Sequence, residues 1–286
     1  MIDLPRPLAV VAHDAGAANI ILAWLPREPL VDVRAVMEGP AAALWAARFG
    51  TAPLAVSIEH ALDGAATLLT GTGWASDLEH RARLAAKARG IASVAVIDHW
   101  VNYRARFSRD GVEILPDRLW VTDDEAVAEA RRTLSELPVE AKPNFYLDEQ
   151  AAAAGPVPVV GDILFVAEPA RSDWGRGIPG EFQALDALIE WRACLDASAQ
   201  RPIRLRPHPS DPAGKYDAWL AQQHAASLDT APDIGTALRE AAVVAGMNSF
   251  ALVVALAAGR RAISVLPPWA PPCVLPHRAI ERLLEG

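Results

Sequence analysis

The chain has 286 residues, 52% of them hydrophobic, and a formal net charge of −8. That length suffices for one large or two ordinary domains with a substantial core. The acidic balance, with no basic stripe, argues against a nucleic-acid partner, so an anionic small ligand needs a local pocket. Cys194 and Cys273, the two cysteines, lack CxxC spacing and suggest neither a disulfide framework nor a zinc site. A cytoplasmic protein is expected. No basic segment precedes a long apolar stretch and no run of about 18 apolar residues occurs, so neither export nor a membrane span is expected.

Pro7 to Ala12 is a short apolar run of the kind a central parallel strand shows. It ends in His13-Asp14-Ala15-Gly16-Ala17-Ala18-Asn19, ahead of a helix over Ala18 to Trp24. This reads as the first strand-to-helix loop of a doubly wound domain, whose small residues let a ligand approach closely. The spacing is not GxGxxG, which argues against a dinucleotide fingerprint. Asp14 suits a helix cap or a reacting carboxylate, whereas nothing structural demands His13.

Val31 to Val36 reads as the second strand and Pro40 to Phe49 as its helix. Pro53 to Ser57 and Ala65 to Thr70 read as two further short strands. Beyond Gly71-Thr72-Gly73-Trp74, Ser76 and Glu79 have capping-box spacing, and the helix they open stops at Gly90. Glu79 is read as part of that cap. Ile91 to Ile97 is the most strand-like segment of the first half and delivers Asp98-His99-Trp100 to a loop, with Asn102-Tyr103-Arg104 just beyond. A carboxylate and an imidazole adjacent at a strand tip are where a general base belongs. The alternative is that they pair with each other or with Arg104. Arg118 to Thr122 is another strand, and Asp123-Asp124-Glu125 suit the positive end of the following helix.

Between Leu137 and Val160 the chain is rich in Pro and Ala without clear periodicity and reads as an interdomain crossover. It sets an N-terminal domain at residues 1–150 and a C-terminal domain at residues 151–286. Asp162 to Ala167 opens the second domain. Its exit carries Glu168-Pro169 and a Gly-rich loop, Ser172 to Pro179, before a helix from Gly180 to Leu195. Glu168 is a ribose-hydroxyl ligand or a solvated loop acid.

A strand over Pro202 to Leu205 runs into Arg206-Pro207-His208-Pro209, where flanking prolines hold Arg206 and His208 in extended geometry. A helix is expected over Asp211 to Ala226. Ala241 to Ala245 then reads as a buried strand, Gly246-Met247-Asn248 as a tight turn, and the residues after it as an apolar helix capped by Asn248 or Ser249. Unpaired main-chain N–H groups and the positive end of the helix dipole make that turn a phosphate site; plain capping is the alternative. Arg261 to Leu266 is the next strand. A proline-dense loop then places Trp269 to wall a cleft, and a last helix is expected over His277 to Leu284.

The Arg-Pro-His-Pro element, followed about forty residues later by a strand and a small-residue turn carrying Ser249, resembles the C-terminal domain of GT-B glycosyltransferases. It is most similar to bacterial sialyltransferases, polysialyltransferases and capsule-type transferases of polysaccharide biosynthesis. The resemblance covers Asp162 to Gly286 by motif and the N-terminal half by pattern. It implies that His208 assists departure of the nucleotide and that the serine motif holds its phosphate. The acidic-Asp-Gly element of those relatives has no counterpart here, and Asp98 is assigned in its place.

The expected fold is α/β, with two doubly wound, Rossmann-like domains facing a cleft in the GT-B manner. The expected function is transfer of a sugar from a nucleotide-sugar, CMP- or UDP-linked, to a glycan, lipid or protein acceptor. Neither a cofactor nor a metal is expected. Asp98, His208 and Asp14 are the catalytic candidates. Arg206, Gly246, Asn248, Ser249 and Glu168 are the donor-binding candidates, and His13, Asn19, His99 and Arg104 the acceptor-binding ones. The rivals are a nucleotide-sugar epimerase or hydrolase of the same fold, and a non-catalytic binding protein that keeps it.

Overall fold

A computed structural model of the chain describes residues 3–25, 30–170, 172–196 and 199–283. The chain divides into two compact units, Met1–Tyr146 and Leu147–Gly286, each built on a parallel sheet. The first unit runs β1 (Leu8–Ala12), α1 (Ala15–Trp24), β2 (Val33–Met37), α2 (Gly39–Phe49), α3 (Ile58–Leu62), β3 (Thr67–Thr70), α4 (Leu78–Ala88) and β4 (Ala92–Val96). A 3-10 turn over Arg104–Phe107 and a small hairpin of β5 (Ser108–Arg109) and β6 (Val112–Glu113) follow. The unit is completed by β7 (Arg118–Val121), α5 (Asp124–Thr133) and β8 (Val139–Ala141). Helix α6 (Phe145–Ala154) contains the boundary between the units.

The first sheet has the order β2-β1-β3-β4-β7-β8, with every pairing parallel. All five residues of β1 are buried, as a strand covered on both faces requires. Leu8, Val10 and Ala12 enter one core with Ile20 and Trp24 of α1, while Ala9 and Val11 enter another with Leu62, Leu78 and Ala82. That alternation follows from the two-residue side-chain period of a strand. Strand order reverses between β1 and β3, and crevices at such switch points are where open α/β sheets take ligands.

The second unit runs β9 (Asp162–Val166), α7 (Gly180–Ala193), β10 (Ile203–Arg206), α8 (Asp217–Leu220), β11 (Ala226–Leu228), α9 (Ile234–Ala237), β12 (Ala241–Gly246), α10 (Phe250–Ala257), β13 (Arg261–Ser264) and β14 (Glu281–Arg282). Its order is β11-β10-β9-β12-β13-β14, again all parallel. The switch point lies between β9 and β12. Ile163, Phe165, Ile203 and Leu205 form a core with Ala184, Leu185 and Leu188 of α7.

Four expected elements differ. Residues 53–57 form no strand, because Ser57 instead caps α3 by accepting the His60 main-chain N–H at 3.2 Å. The helix expected over Asp211 to Ala226 shrinks to α8, since Pro212 and Gly214, the latter with φ 78°, break its start. The expected last helix is replaced by β14, which extends the sheet beside β13; its final residue, Leu284, lies outside the described residues. The stretch expected as a crossover holds β8 and α6.

Arg260 ties the second unit together. Its buried guanidinium donates to the carbonyls of Ala154 (3.0 Å), Gly155 (2.5 Å), Pro156 (3.0 Å), Leu238 (3.1 Å) and Ala258 (2.6 Å). It therefore satisfies carbonyls at the ends of α6 and α10 that have no helical partner. Arg260→Ala removes this donor from two buried and three partly buried carbonyls and is expected to destabilise the protein by about 3 kcal/mol. Urea unfolding checks this, and a midpoint equal to that of the parent would contradict it.

Candidate functional site

Both sheets deliver polar residues at the carboxyl ends of the strands that flank their switch points. In the second unit the exits of β9, β10 and β12 surround a recess of about 520 Å³ lined by Glu168, Ser172, Trp174, His208, Met247 and Asn248 among others. Thus His208 and the turn before Ser249 share one recess. The Asn248 main-chain N–H donates to Glu168 Oε1 at 2.6 Å, which closes the switch point. Burial pushes the Glu168 carboxyl above its ordinary value, and the bond from Asn248 only partly offsets this.

The surroundings of each expected donor-side residue are specific. Ser249 is the N-cap of α10, with its Oγ accepting the Ala251 N–H at 3.2 Å. Asn248 accepts the Val274 N–H on its amide oxygen at 2.8 Å, so a ligand contact from that side chain comes from the amide NH2. Gly246 ends β12 inside the sheet. A Cβ there would lie 2.8 Å from Val166 Cγ2, so its role is to let β9 and β12 pack. Arg206 is held by Asp229, itself buried, and donates to the Ala231 carbonyl at 2.9 Å. Asp229 also binds Arg204 at 2.6 Å, so Arg206 belongs to a charge network whose partners are already internal.

His208 is braced by more than its prolines. Its main-chain N–H donates to Asp211 Oδ2 at 2.9 Å and its Nδ1 meets Ser210 Oγ at 2.7 Å. Asp211 is fixed in turn by Lys215 at 2.7 Å and Tyr216 at 3.0 Å, and Lys215 reaches Glu181 at 2.6 Å. Although the residue is exposed, loss of hydration against the loop lowers its imidazole pKa, with Asp211 pulling the other way. The sequence signal for this brace is the Ser210-Asp211 pair directly after His-Pro, which reads locally as a turn.

In the first unit His13 and Asp14 leave β1 and meet the Gly71–Trp74 segment leaving β3. His13 Nδ1 lies 2.7 Å from Asp14 Oδ1, and Asp14 Oδ2 accepts the Trp74 N–H at 2.7 Å. Asp98 pairs with Arg106 at 3.3 Å and presses on the first turn of α1. A Cβ at Gly16 would fall 1.6 Å from Asp98 Oδ2, so only glycine admits the carboxylate there. Burial raises the Glu79 carboxyl above its ordinary value; it accepts the His13 main-chain N–H at 2.9 Å rather than capping α4, whose N-cap is Asp77. Glu79 was thus hidden by a spacing that also fits a capping box.

The other acceptor-side candidates have surroundings of their own. Asn19 is half-buried in the second turn of α1. His99 packs against Trp100 with ring centroids 5.4 Å apart, and Trp100 is anchored to Asp123 at 3.0 Å. Arg104 pairs with Glu113 at 3.0 Å and with Glu136 at 2.7 Å on an exposed surface, so it is a clamp between surface segments. Trp269 is pinned beside the Gly-rich loop, its Nε1 donating to Gln183 at 2.6 Å and the Arg176 guanidinium 3.8 Å above its ring.

Among the described residues, no helix is long and apolar enough to cross a membrane. No protein-family model matches the chain, and no curated protein matches it. Solved structures similar to it include the following two. The glycotransferase of kitacinnamycin matches with a TM-score of 0.51 and 16% identity over 93% of this chain and 84% of its own. A Listeria monocytogenes protein assigned as a UDP-N-acetylglucosamine 2-epimerase matches with a TM-score of 0.57 and 14% identity over 90% of this chain and 78% of its own.

A folded chain that holds the Glu168 proton to higher pH than the unfolded chain loses stability from that group as pH rises above its ordinary value of 4.5. Glu168→Gln keeps the acceptor for Asn248. It is expected to melt above the parent at about pH 8 and level with it at about pH 4. An offset in melting temperature that is constant over that range would contradict the assignment.

The likeness to the two solved structures is one of fold: the chain has two doubly wound α/β units of GT-B type, each with a parallel six-stranded sheet.

Proposed function

We propose that the protein transfers a sugar from a nucleotide-sugar donor, CMP- or UDP-linked, to a glycan, lipid or protein acceptor, without a metal. The observation that carries this reading is the recess in which His208 and the turn leading into α10 come together at the β9–β12 switch point. A helix N-terminus there offers main-chain N–H groups and a positive dipole end to a phosphate. His208 supplies a side chain able to stabilise or protonate the departing nucleotide, and Ser249 and Asn248 flank the phosphate. The first unit, with His13, Asp14 and Asp98 at its own switch point, takes the acceptor. The resemblance of the His-Pro and serine elements to sialyltransferase-type enzymes, and the fold likeness to a glycotransferase, support the same reading.

A second reading is an epimerase or hydrolase acting on a nucleotide-sugar alone, and the likeness to a protein assigned as an epimerase favours it. Product from donor incubated without acceptor separates the two.

A ligand that binds only the native state raises its melting temperature, so CMP, UDP, GDP, CDP and their sugars form a direct screen. At least one is expected to stabilise the parent, and His208→Ala and Ser249→Ala are expected to lose that shift. Loss of one phosphate-stabilising donor is also expected to lower turnover on the order of a hundredfold. No stabilisation by any nucleotide, or full stabilisation of both variants, would overturn the reading.

A further inference from the structure

The turn after β10 settles which nitrogen of the His208 ring carries the hydrogen. The Ser210 main-chain N–H donates to His208 Nδ1 at 3.2 Å, and the Ser210 hydroxyl lies 2.7 Å from the same atom. A main-chain N–H can only donate, so the neutral ring keeps its lone pair on Nδ1 and its hydrogen on Nε2; the hydroxyl rotates to add a second donor to Nδ1. His208 is exposed and lines the recess with Asn248, so the nitrogen left for a ligand is Nε2, as an N–H.

That arrangement works against proton transfer from the ring. An imidazolium needs a hydrogen on Nδ1 as well, which would face the Ser210 N–H and break that bond. Giving up the Nε2 hydrogen would leave the Nδ1–H form, with the same conflict. Loss of hydration also holds the imidazole below its ordinary value, with Asp211 raising it and Lys215 lowering it; the other charged groups nearby are Glu181 behind Lys215 and Glu168 in the same recess. A phosphate monoester, with a second pKa of about 6, stays ionised near neutral pH and needs no proton to leave. The turn itself is pinned. Asp211 Oδ2 accepts the His208 N–H at 2.9 Å and the Tyr216 hydroxyl at 3.0 Å, while its Oδ1 meets Lys215 at 2.7 Å. Lys215 reaches Glu181 Oε1 at 2.6 Å, and Glu181 Oε2 accepts the N–H of Ala170, which lines the same recess, at 3.2 Å. One chain of bonds therefore ties the His208 turn to the loop after β9.

We propose that His208 meets the donor phosphate as a neutral Nε2–H hydrogen-bond donor that keeps its proton throughout, that the Ser210 main-chain N–H fixes this tautomer, and that Asp211 is a positioning residue that holds the turn. This rests on the reading above, in which the recess takes the phosphate. In the step, the bond from the sugar carbon to the phosphate oxygen breaks with its electron pair staying on that oxygen. The acceptor oxygen bonds the sugar carbon, and in net balance the acceptor O–H proton is released to solvent. No proton passes between the imidazole and the nucleotide.

The ring tautomer tests this without any nucleotide, so its outcome is separate from that of the nucleotide screen. The full chain, uniformly labelled with 15N, is measured by imidazole 15N–1H correlation near neutral pH, with His208 signals identified by their loss in His208→Gln. The parent is expected to show the Nε2–H tautomer; an Nδ1–H tautomer, or a predominant imidazolium, would overturn the proposal. Ser210→Ala keeps the main-chain N–H and is expected to keep the tautomer, and a switch to Nδ1–H there would overturn the role given to the main chain. Asp211→Ala is expected to mix the two neutral tautomers, and Asp211→Asn, which retains an acceptor for the His208 N–H, to restore the parent signals. A lower melting temperature in Asp211→Ala with the His208 signals unmoved would overturn its positioning role. With a nucleotide-sugar that the parent turns over, His208→Gln places an amide NH2 where Nε2–H stood and is expected to keep turnover within about tenfold of the parent, whereas His208→Ala loses it on the order of a hundredfold. Equal losses in the two variants would overturn the neutral-donor role.

Discussion

A carboxylate accepting a main-chain N–H across the switch point of a parallel sheet is the interaction on which both sites depend. In the first unit Asp14, just past β1, accepts from Trp74, just past β3. In the second, Glu168, just past β9, accepts from Asn248, just past β12. At a switch point the two neighbouring connections leave for opposite faces of the sheet, so nothing in the ladder itself holds the two exits together. One hydrogen bond from a main-chain N–H to a carboxylate does so in each unit, and such bonds, when the carboxylate is ionised, are about twice as strong as neutral ones. The crevice that results is rigid and lined by polar groups already in position, as electrostatic stabilisation of a reaction requires.

The two units differ in what those bonds leave over. In the second unit the turn after β12 presents a helix N-terminus beside an exposed imidazole, a combination suited to an anion that departs. In the first, Asp14 bonds the Trp74 main chain through one oxygen and meets the His13 ring through the other. Burial raises the carboxyl pKa of both Glu168 and Glu79, so each is a reservoir of strain as well as a fixture. Such groups are kept where structure alone would favour a neutral residue, and they concentrate at functional sites.

Much of this was legible in the sequence. Continuous apolar runs such as Leu8 to Ala12 and Ala241 to Gly246 announce strands covered on both faces, and the strand–helix alternation implies parallel sheets. The tips of those strands carry His13, Asp98, Glu168, His208 and Asn248, which is where the structure finds its polar crevices. What failed was local and short-ranged. Residues 277–284 read as an amphipathic helix because Ile280 and Leu283 repeat suitably, yet sheet-edge pairing with β13 captures Glu281 and Arg282 as a strand. Partnerships between distant residues were invisible as well: Arg206 gave no sign that Asp229 claims it, and Glu79 looked like a cap because its true partner lies 66 residues away.

The central claim is that the β9–β12 switch point receives the nucleotide phosphate, and hydrogen–deuterium exchange of the full chain with and without a stabilising nucleotide tests it most directly. The account expects exchange to slow across residues 246–252, with accompanying protection at residues 206–211. Protection confined to the first unit, or none in residues 246–252 while nucleotide is bound, would contradict it.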